Sequence, residues 1–308
     1  VCATEDAAVL WDQRGSSRAA DWREHRSEEV RALLRPASRF SSPDIPAPSR
    51  EQWTAPPSPV VARTGALHLY ATDGHSHHGE DRWRWAALGR MVRSLQPDRV
   101  IFGGDHWDNP SLTRHTRGTL YNEGQRALAD WQAGNDAFHT FLDACGPAMY
   151  TGTITLGNHD MWADREEVNN PHLAGIFGRY FGVFEDAGWE VVPFCTEVEI
   201  DGLRYVHCIT GDTGRPLGAM YHAAQLMRRR HTSYVVGHSH KFDYRREPGP
   251  SGWLTGLVGG CYTDGVAAYA GQSNDHGWWR GVCVLHDVAD GDYDLECYSL
   301  ERIKRLWG

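Results

Sequence analysis

Long apolar runs are missing from this sequence, and with them the means to cross a bilayer as a helix, which takes about 20 such residues. Paired cysteines are missing too. The seven cysteines, at 2, 145, 195, 208, 261, 283 and 297, are odd in number and scattered, with no C-x-x-C among them. That excludes a disulfide framework and a cysteine zinc cage, and it fits reduced thiols in a cytoplasmic protein. The opening stretch, Val1 to Asp6, carries charge and no signal-peptide core, which agrees. Basic clustering is scarce: the net charge is −9, and the one basic run, Arg228-Arg229-Arg230, reads as a solvated helix end. A general nucleic-acid coat needs a basic face, so the charge argues against one. It leaves room for a metal-dependent nuclease, whose ions bring their own positive charge. No internal repeat or low-complexity segment occurs.

What is present is the composition of a globular protein, 41% hydrophobic and 23% charged over 308 residues, long enough to bury a sizeable core. Thirteen tryptophans stand out. Residues 1–62 differ from the rest. Asp21 to Leu34 predicts a short charged helix stopped at Pro36, and the prolines at 43, 46, 48, 56, 57 and 59 predict an extended connector. Trp11, Trp22 and Trp53 are its expected packing points.

From Gly65 onward, strand and helix alternate. Ala66 to Thr72 predicts a strand, Arg82 to Leu95 an amphipathic helix, and Arg99 to Phe102 a second strand. A right-handed βαβ unit places Asp73 and Asp105 at the C-terminal ends of parallel strands, where open α/β sheets carry their chemistry. An insert of about 109–146 follows, with helical spacing from Tyr121 to Ala144. Ala148 to Leu156 predicts a strand, Leu173 to Phe184 a helix, and Thr196 to Cys208 a hairpin turning at Asp201-Gly202. Leu217 to Arg230 predicts a helix and Ser233 to Val236 a buried strand. Strands are expected near Trp253 to Val258, Trp279 to Leu285 and Asp292 to Ser299, with a turn at Asp290-Gly291. Pattern alone gives an α/β fold with an added antiparallel part.

Five motifs then stand in order: Asp73-Gly74-His75; Gly104-Asp105-His106-Trp107-Asp108; Gly157-Asn158-His159-Asp160; a lone His207 at a strand end; and Gly237-His238-Ser239-His240. Aspartate, asparagine and histidine are the donors that suit a pair of divalent ions sharing one carboxylate. In G-H-S-H, alternation along a strand would put His238 and His240 on one face. Isolated histidines are usually structural, and His25, His68, His139, His172, His222, His231 and His286 are expected to be so, with His222, inside an expected helix, and His231 standing behind His207 as alternatives for the lone ligand. His77 is expected on the surface.

The order D-x-H, G-D-x-x-D, G-N-H-D, H, G-H-x-H resembles the calcineurin-like metallophosphoesterase superfamily, from about Leu67 to the end. The stretch from Asn109 to Arg126 resembles that of phage-borne and prophage-borne members. The resemblance implies a four-layer α/β/β/α sandwich of two mixed sheets flanked by helices, spanning 63–308. It implies two divalent ions, manganese first, with iron, zinc, nickel or magnesium as the others. One would take Asp73, His75, Asp105 and His240, the other Asp105, Asn158, His207 and His238. Such a pair neutralises a phosphate and lowers the pKa of water between the ions, which becomes the nucleophile. His159 would give a proton to the leaving oxygen or stabilise the charge developing there. Asp160 or Asp73 would orient it, and Asp108 would hold a ligand or loop. Some members of the family act as scaffolds after losing the histidine of G-N-H; here no expected position is missing.

Substrate selection falls to the walls. Arg114, His115 and Arg117 of the insert are candidates to clamp a phosphate oxygen, or else they hold the loop by ion pairs. His276-Gly277-Trp278-Trp279-Arg280 is either a base-stacking wall or core. The expected activity is that of a phosphodiesterase or nuclease-like enzyme on a nucleotide-containing substrate, with a phosphomonoesterase as the alternative and a non-catalytic metal-binding module as the third reading. No membrane partner is expected.

Overall fold

The computed structural model of the chain describes residues 64–114, 117–146, 151–175, 177, 181–211, 214, 216–217, 221–250, 252–265 and 277–308. The expected N-terminal helix, the proline-rich connector with Trp11, Trp22 and Trp53, and His25, His115 and His276 lie outside them.

Eleven strands among these residues form two mixed sheets. The first has the order β11-β10-β1-β2-β3-β4. Here β1 (Ala66–Ala71), β2 (Arg99–Phe102), β3 (Gly152–Thr155) and β4 (Glu190–Val192) run parallel, and β10 (Gly281–Ala289) and β11 (Asp292–Ser299) add antiparallel neighbours. The second sheet has the order β5-β6-β7-β9-β8. Its parallel centre is β6 (Leu203–Val206), β7 (Tyr234–Val236) and β9 (Gly252–Gly259), with β5 (Val198–Ile200) and β8 (Phe242–Gly249) antiparallel at the edges.

Strand periodicity sorts the side chains into three apolar layers. Leu67, Leu69 and Ala71 of β1, Val100 and Phe102 of β2, and Val282 and Val284 of β10 pack against helices α1 (Trp83–Leu95), α2 (Ala127–Cys145) and α6 (Leu300–Trp307). The alternate residues Tyr70, Ile101, Cys283 and Leu285 meet Leu203, Tyr205, Val235 and Leu257 between the two sheets. Tyr234, Val236 and Val258 face α5 (His222–Arg230), with Ala223 and Leu226 on that helix. The result is helices, sheet, sheet, helix: the expected four layers.

Phe138 and Phe141 of α2 are fully buried beside Phe102, Phe184 and Trp189, and truncating a side chain so placed costs about 3–5 kcal/mol. Helix α1 stops where Gln96 turns left-handed and donates back to the Val92 carbonyl, just before Pro97. Helix α6 opens on Ser299, whose hydroxyl accepts the Arg302 amide.

Several expected elements shift. Of the helix expected over Leu173 to Phe184, the described residues form the end of a 3-10 turn, Pro171–Leu173, and the start of a short α4 (Gly182–Asp186); residues 176 and 178–180 lie outside them. Helix α3 (Trp162–Asn169), β4, β8 and α6 were not anticipated. Among the described residues no helix is long and apolar enough to cross a membrane.

Candidate metal centre

Each sheet ends its parallel strands at the same edge, and the five motifs lie in the loops beyond that edge. Asp73 and His75 follow β1, Asp105 follows β2, Asn158 and His159 follow β3, His207 follows β6, and His238 and His240 follow β7. Asp73, His75, Asp105, His238 and His240 all have left-handed backbones, with φ of 52°, 48°, 49°, 70° and 57°. Such strain costs about 1–3 kcal/mol per residue and collects at functional sites. It also changes how the last motif works. His238 and His240 lie past the end of β7 in a turn closed by Ser239 N–H to the Gly237 carbonyl, 2.9 Å. They converge by turn geometry, not by the alternation expected of a strand. Two glycines permit the close approach. A Cβ at Gly157 would fall 2.0 Å from Asp105 Oδ1, and one at Gly237 would fall 2.4 Å from Asp73 Oδ2.

Among the described residues, three groups have ligand atoms within 4.8 Å of one another: Asp73, His75 and His240; His75, Asp105 and His159; and Asp105, His207 and His238. In the first, His240 Nε2 is 3.1 Å from Asp73 Oδ1 and 3.0 Å from His75 Nε2. In the third, His207 Nε2 is 3.4 Å from Asp105 Oδ2 and 3.3 Å from Asn158 Oδ1. Asp105 belongs to the second and third groups, and its Oδ2 lies 3.9 Å from His75 Nε2 of the first.

Two of these rings are anchored through Nδ1. His207 Nδ1 donates to the Gly103 carbonyl at 2.7 Å, and His75 Nδ1 pairs with Asp108 Oδ1 at 3.0 Å. This sets the tautomers and leaves each Nε2 aimed inward, as a metal ligand requires. The buried Nδ1 of His238 has no hydrogen-bond partner. Burial lowers His238 to a pKa of about 4 and lowers His75 as well, so both rings are neutral donors at neutral pH. Burial opposes ionisation of Asp105, but His207 and His159 outweigh it and hold the carboxyl well below its usual range. An orphaned imidazole nitrogen, two facing Nε2 atoms and an ionised buried carboxylate form a donor set that fits divalent cations.

His159 is held on every side. Its ring nitrogen Nδ1 meets the Asp108 carbonyl at 2.8 Å and the Asp108 carboxylate at 3.4 Å. Its amide donates to Asp105 Oδ1 at 2.8 Å, and its carbonyl accepts from Asn109 Nδ2 at 2.9 Å. Burial would lower its pKa, but Asp105 and Asp108 lift it to about 9. His207 is raised to about 10 against the same burial, chiefly by Asp105.

Asp160, expected to orient His159, is bonded elsewhere. Its buried carboxylate accepts the backbone amides of Gly157 at 2.7 Å, Asp105 at 2.8 Å and Trp107 at 3.2 Å. It staples the second motif to the third, while the carboxylate that meets the His159 ring is that of Asp108. Burial and the charge of Asp105 raise Asp160 to about 7.

The walls divide. Arg117 pairs with Glu166 of α3 at 2.8 Å, which ties the insert down; Arg114 is exposed. Trp279 packs in the inter-sheet layer against Phe242, whereas Trp278 sets its edge against the His240 ring, 4.2 Å between centroids. The Arg280 guanidinium lies 5.5 Å from the Trp278 ring centroid. His77 is 42% exposed beside Glu80, as a surface residue. Trp162 was missed by sequence reasoning. It stacks on His159 with 3.8 Å between centroids and 28° between planes. An aromatic residue two positions after the third motif was the available signal.

No protein-family model and no curated protein matches the chain. Among solved structures it is similar to Vps29 complexed with zinc, from Entamoeba histolytica, at 12% identity and a TM-score of 0.35, covering 76% of this chain and 99% of that one. It is also similar to YfcE, a phosphoesterase from E. coli, at 12% identity and a TM-score of 0.36, with the same coverage of 76% and 99%. At such TM-scores neither neighbour assigns a ligand or a reaction to this chain.

Proposed function

We propose that this chain is a metal-dependent hydrolase of phosphate esters with a dinuclear centre, acting on a phosphodiester in a nucleotide-containing substrate. The observation that supports this is three overlapping ligand groups, Asp73, His75 and His240; His75, Asp105 and His159; and Asp105, His207 and His238, linked through His75 and Asp105. Asp73, His75, Asp105 and His240 would hold one ion, and Asp105, Asn158, His207 and His238 the other. The mixed oxygen and imidazole donors suit manganese, iron or zinc. When bound, two such ions neutralise the phosphate oxygens and make water a competent nucleophile at neutral pH.

The chain's own residues do the rest. Gly103 and Asp108 fix the rings of His207 and His75 so that their Nε2 atoms stay turned inward. Asp108 also keeps the His159 proton supply at Nε2 by occupying Nδ1. From there His159 protonates the departing ester oxygen, which would otherwise leave as an alkoxide. Trp278 forms an apolar wall against His240, with the Arg280 cation at its face, and favours an organic, ring-bearing substituent on the phosphate.

The test is hydrolysis of bis-p-nitrophenyl phosphate against p-nitrophenyl phosphate by chelator-stripped protein with manganese restored. Faster turnover of the diester is expected. A preference for the monoester would overturn the diester assignment, and inactivity on both with every restored metal would overturn the hydrolase.

A further inference from the structure

We infer that Trp162 is a positioning residue for His159, and that it specialises the site for phosphate esters with a poor leaving group, such as the alkoxide of a sugar or alkyl alcohol. This rests on the reading of the site as a phosphoesterase and names the class of ester it takes.

The His159 ring is locked to a degree that mere packing does not require. Trp162 covers one face, 3.8 Å between centroids and nearly parallel. The His75 ring meets it edge-on, 4.6 Å away at 82°. Nδ1 is tied to the Asp108 carbonyl. Turning the imidazole would break that bond and slide the ring off the indole together, so only Nε2 is left to act.

Trp162 is itself held fast. It is the first residue of α3, and its amide closes a turn on the His159 carbonyl at 3.1 Å. On either side of it, Met161 packs on the large core layer and Ala163 is buried within it. One turn along the helix, Glu166 takes Arg117 of the insert at 2.8 Å and Asn170 at 2.7 Å. The stacking partner of the acid therefore sits on a pinned helix and not on a free loop.

Orientation of this kind has its largest effect on leaving-group dependence when a proton must be delivered to one atom as a bond breaks. A nitrophenolate departs without such help. An alkoxide does not, and general acid catalysis then contributes about 10²–10⁴-fold. A ring locked for proton delivery thus selects for the second kind of ester in turnover.

The experiment uses the full chain loaded with manganese and a series of phosphodiesters that differ only in the leaving alcohol, from nitrophenol through phenol to a simple alkyl alcohol. Trp162→Ala is expected to lower kcat on the alkyl ester at least about tenfold more than on the nitrophenyl ester. KM should change alike for both, and metal content should be that of the parent. Trp162→Phe is expected to restore most of the loss. Equal losses along the series would reduce Trp162 to a structural residue and overturn the inference, as would an undiminished rate on the alkyl ester. Should the alanine variant melt at the assay temperature, Trp162→Leu, which keeps bulk without a stacking face, carries the same comparison against Trp162→Phe. Wild-type protein inactive on every ester would instead refute the phosphoesterase reading itself.

Discussion

Strand β1 carries a buried histidine near its start and leads to another just beyond its end, and the two are made differently. His68, within the strand, has both nitrogens used: Nδ1 meets the Tyr205 hydroxyl at 2.7 Å and Nε2 donates to Asp201 at 2.9 Å. His75 likewise gives one nitrogen to a carboxylate, Asp108, but its other nitrogen points at a second imidazole, His240, 3.0 Å away. One histidine is closed and completes an inter-sheet contact. The other is open and belongs to a cluster whose donors all face a common space. Burial and acidic neighbours are the same in both cases. What separates a structural histidine from a candidate ligand is where its second nitrogen is sent.

The largest way to break the comparison is Asp105→Ala. It removes a carboxylate that belongs to two of the three ligand groups and lies 3.9 Å from His75 of the first, so metal analysis should find neither ion retained and turnover should fall to background. His159→Ala should lower kcat by about 10²–10⁴-fold while metal content stays that of the parent; full activity would remove its assigned role. Asp108→Asn loosens two rings at once and is expected to cost about 10–100-fold in metal affinity or activity, read by titrating manganese into stripped protein. His68→Leu should act on the other side of the contrast. It strands the Tyr205 hydroxyl and should cost about 1–3 kcal/mol in denaturant unfolding, with metal content unchanged.

The smallest effect is in pH. Burial lowers His68 below its ordinary 6.5, against the pull of Asp201. The unfolded chain therefore takes up a proton there before the folded one does. The stability tied to neutral His68 is full above pH 6.5 and is lost as pH falls below it. The stability gap between the parent and His68→Leu should narrow on moving from neutral pH to below 6.5. A gap that held or widened would show that His68 is not buried neutral.

The layers were legible because strand alternation here is clean. Leu67, Leu69 and Ala71 go one way and Tyr70 the other, and the turns at Asp201-Gly202 and Asp290-Gly291 were marked by their residues. Strand β8 was not legible: Phe242-Asp-Tyr-Arg-Arg-Glu-Pro-Gly places charge on both faces of an edge strand. Helix α3 buries little beyond Ala163, so its sequence shows no stripe. Helix α6 did carry a signal, a Ser299 cap ahead of Leu300 and Ile303. In the candidate site, residue types and order were readable because ligand chemistry restricts them. The bonds that Asp108 and Asp160 make to rings and backbone amides were not, since a carboxylate near a motif can turn either way and only the loop path decides.

The two principal ligand groups each draw on both sheets. Asp73 and His75 come from the first sheet and His240 from the second; Asp105 comes from the first, and His207 and His238 from the second. An ion in either place would be a rivet through the seam where Tyr70, Ile101 and Leu285 meet Tyr205, Val235 and Leu257. Binding energy spent there is returned as resistance to unfolding, by mass action on the folded state. The candidate metal centre and the mechanical joint of this molecule are then one place.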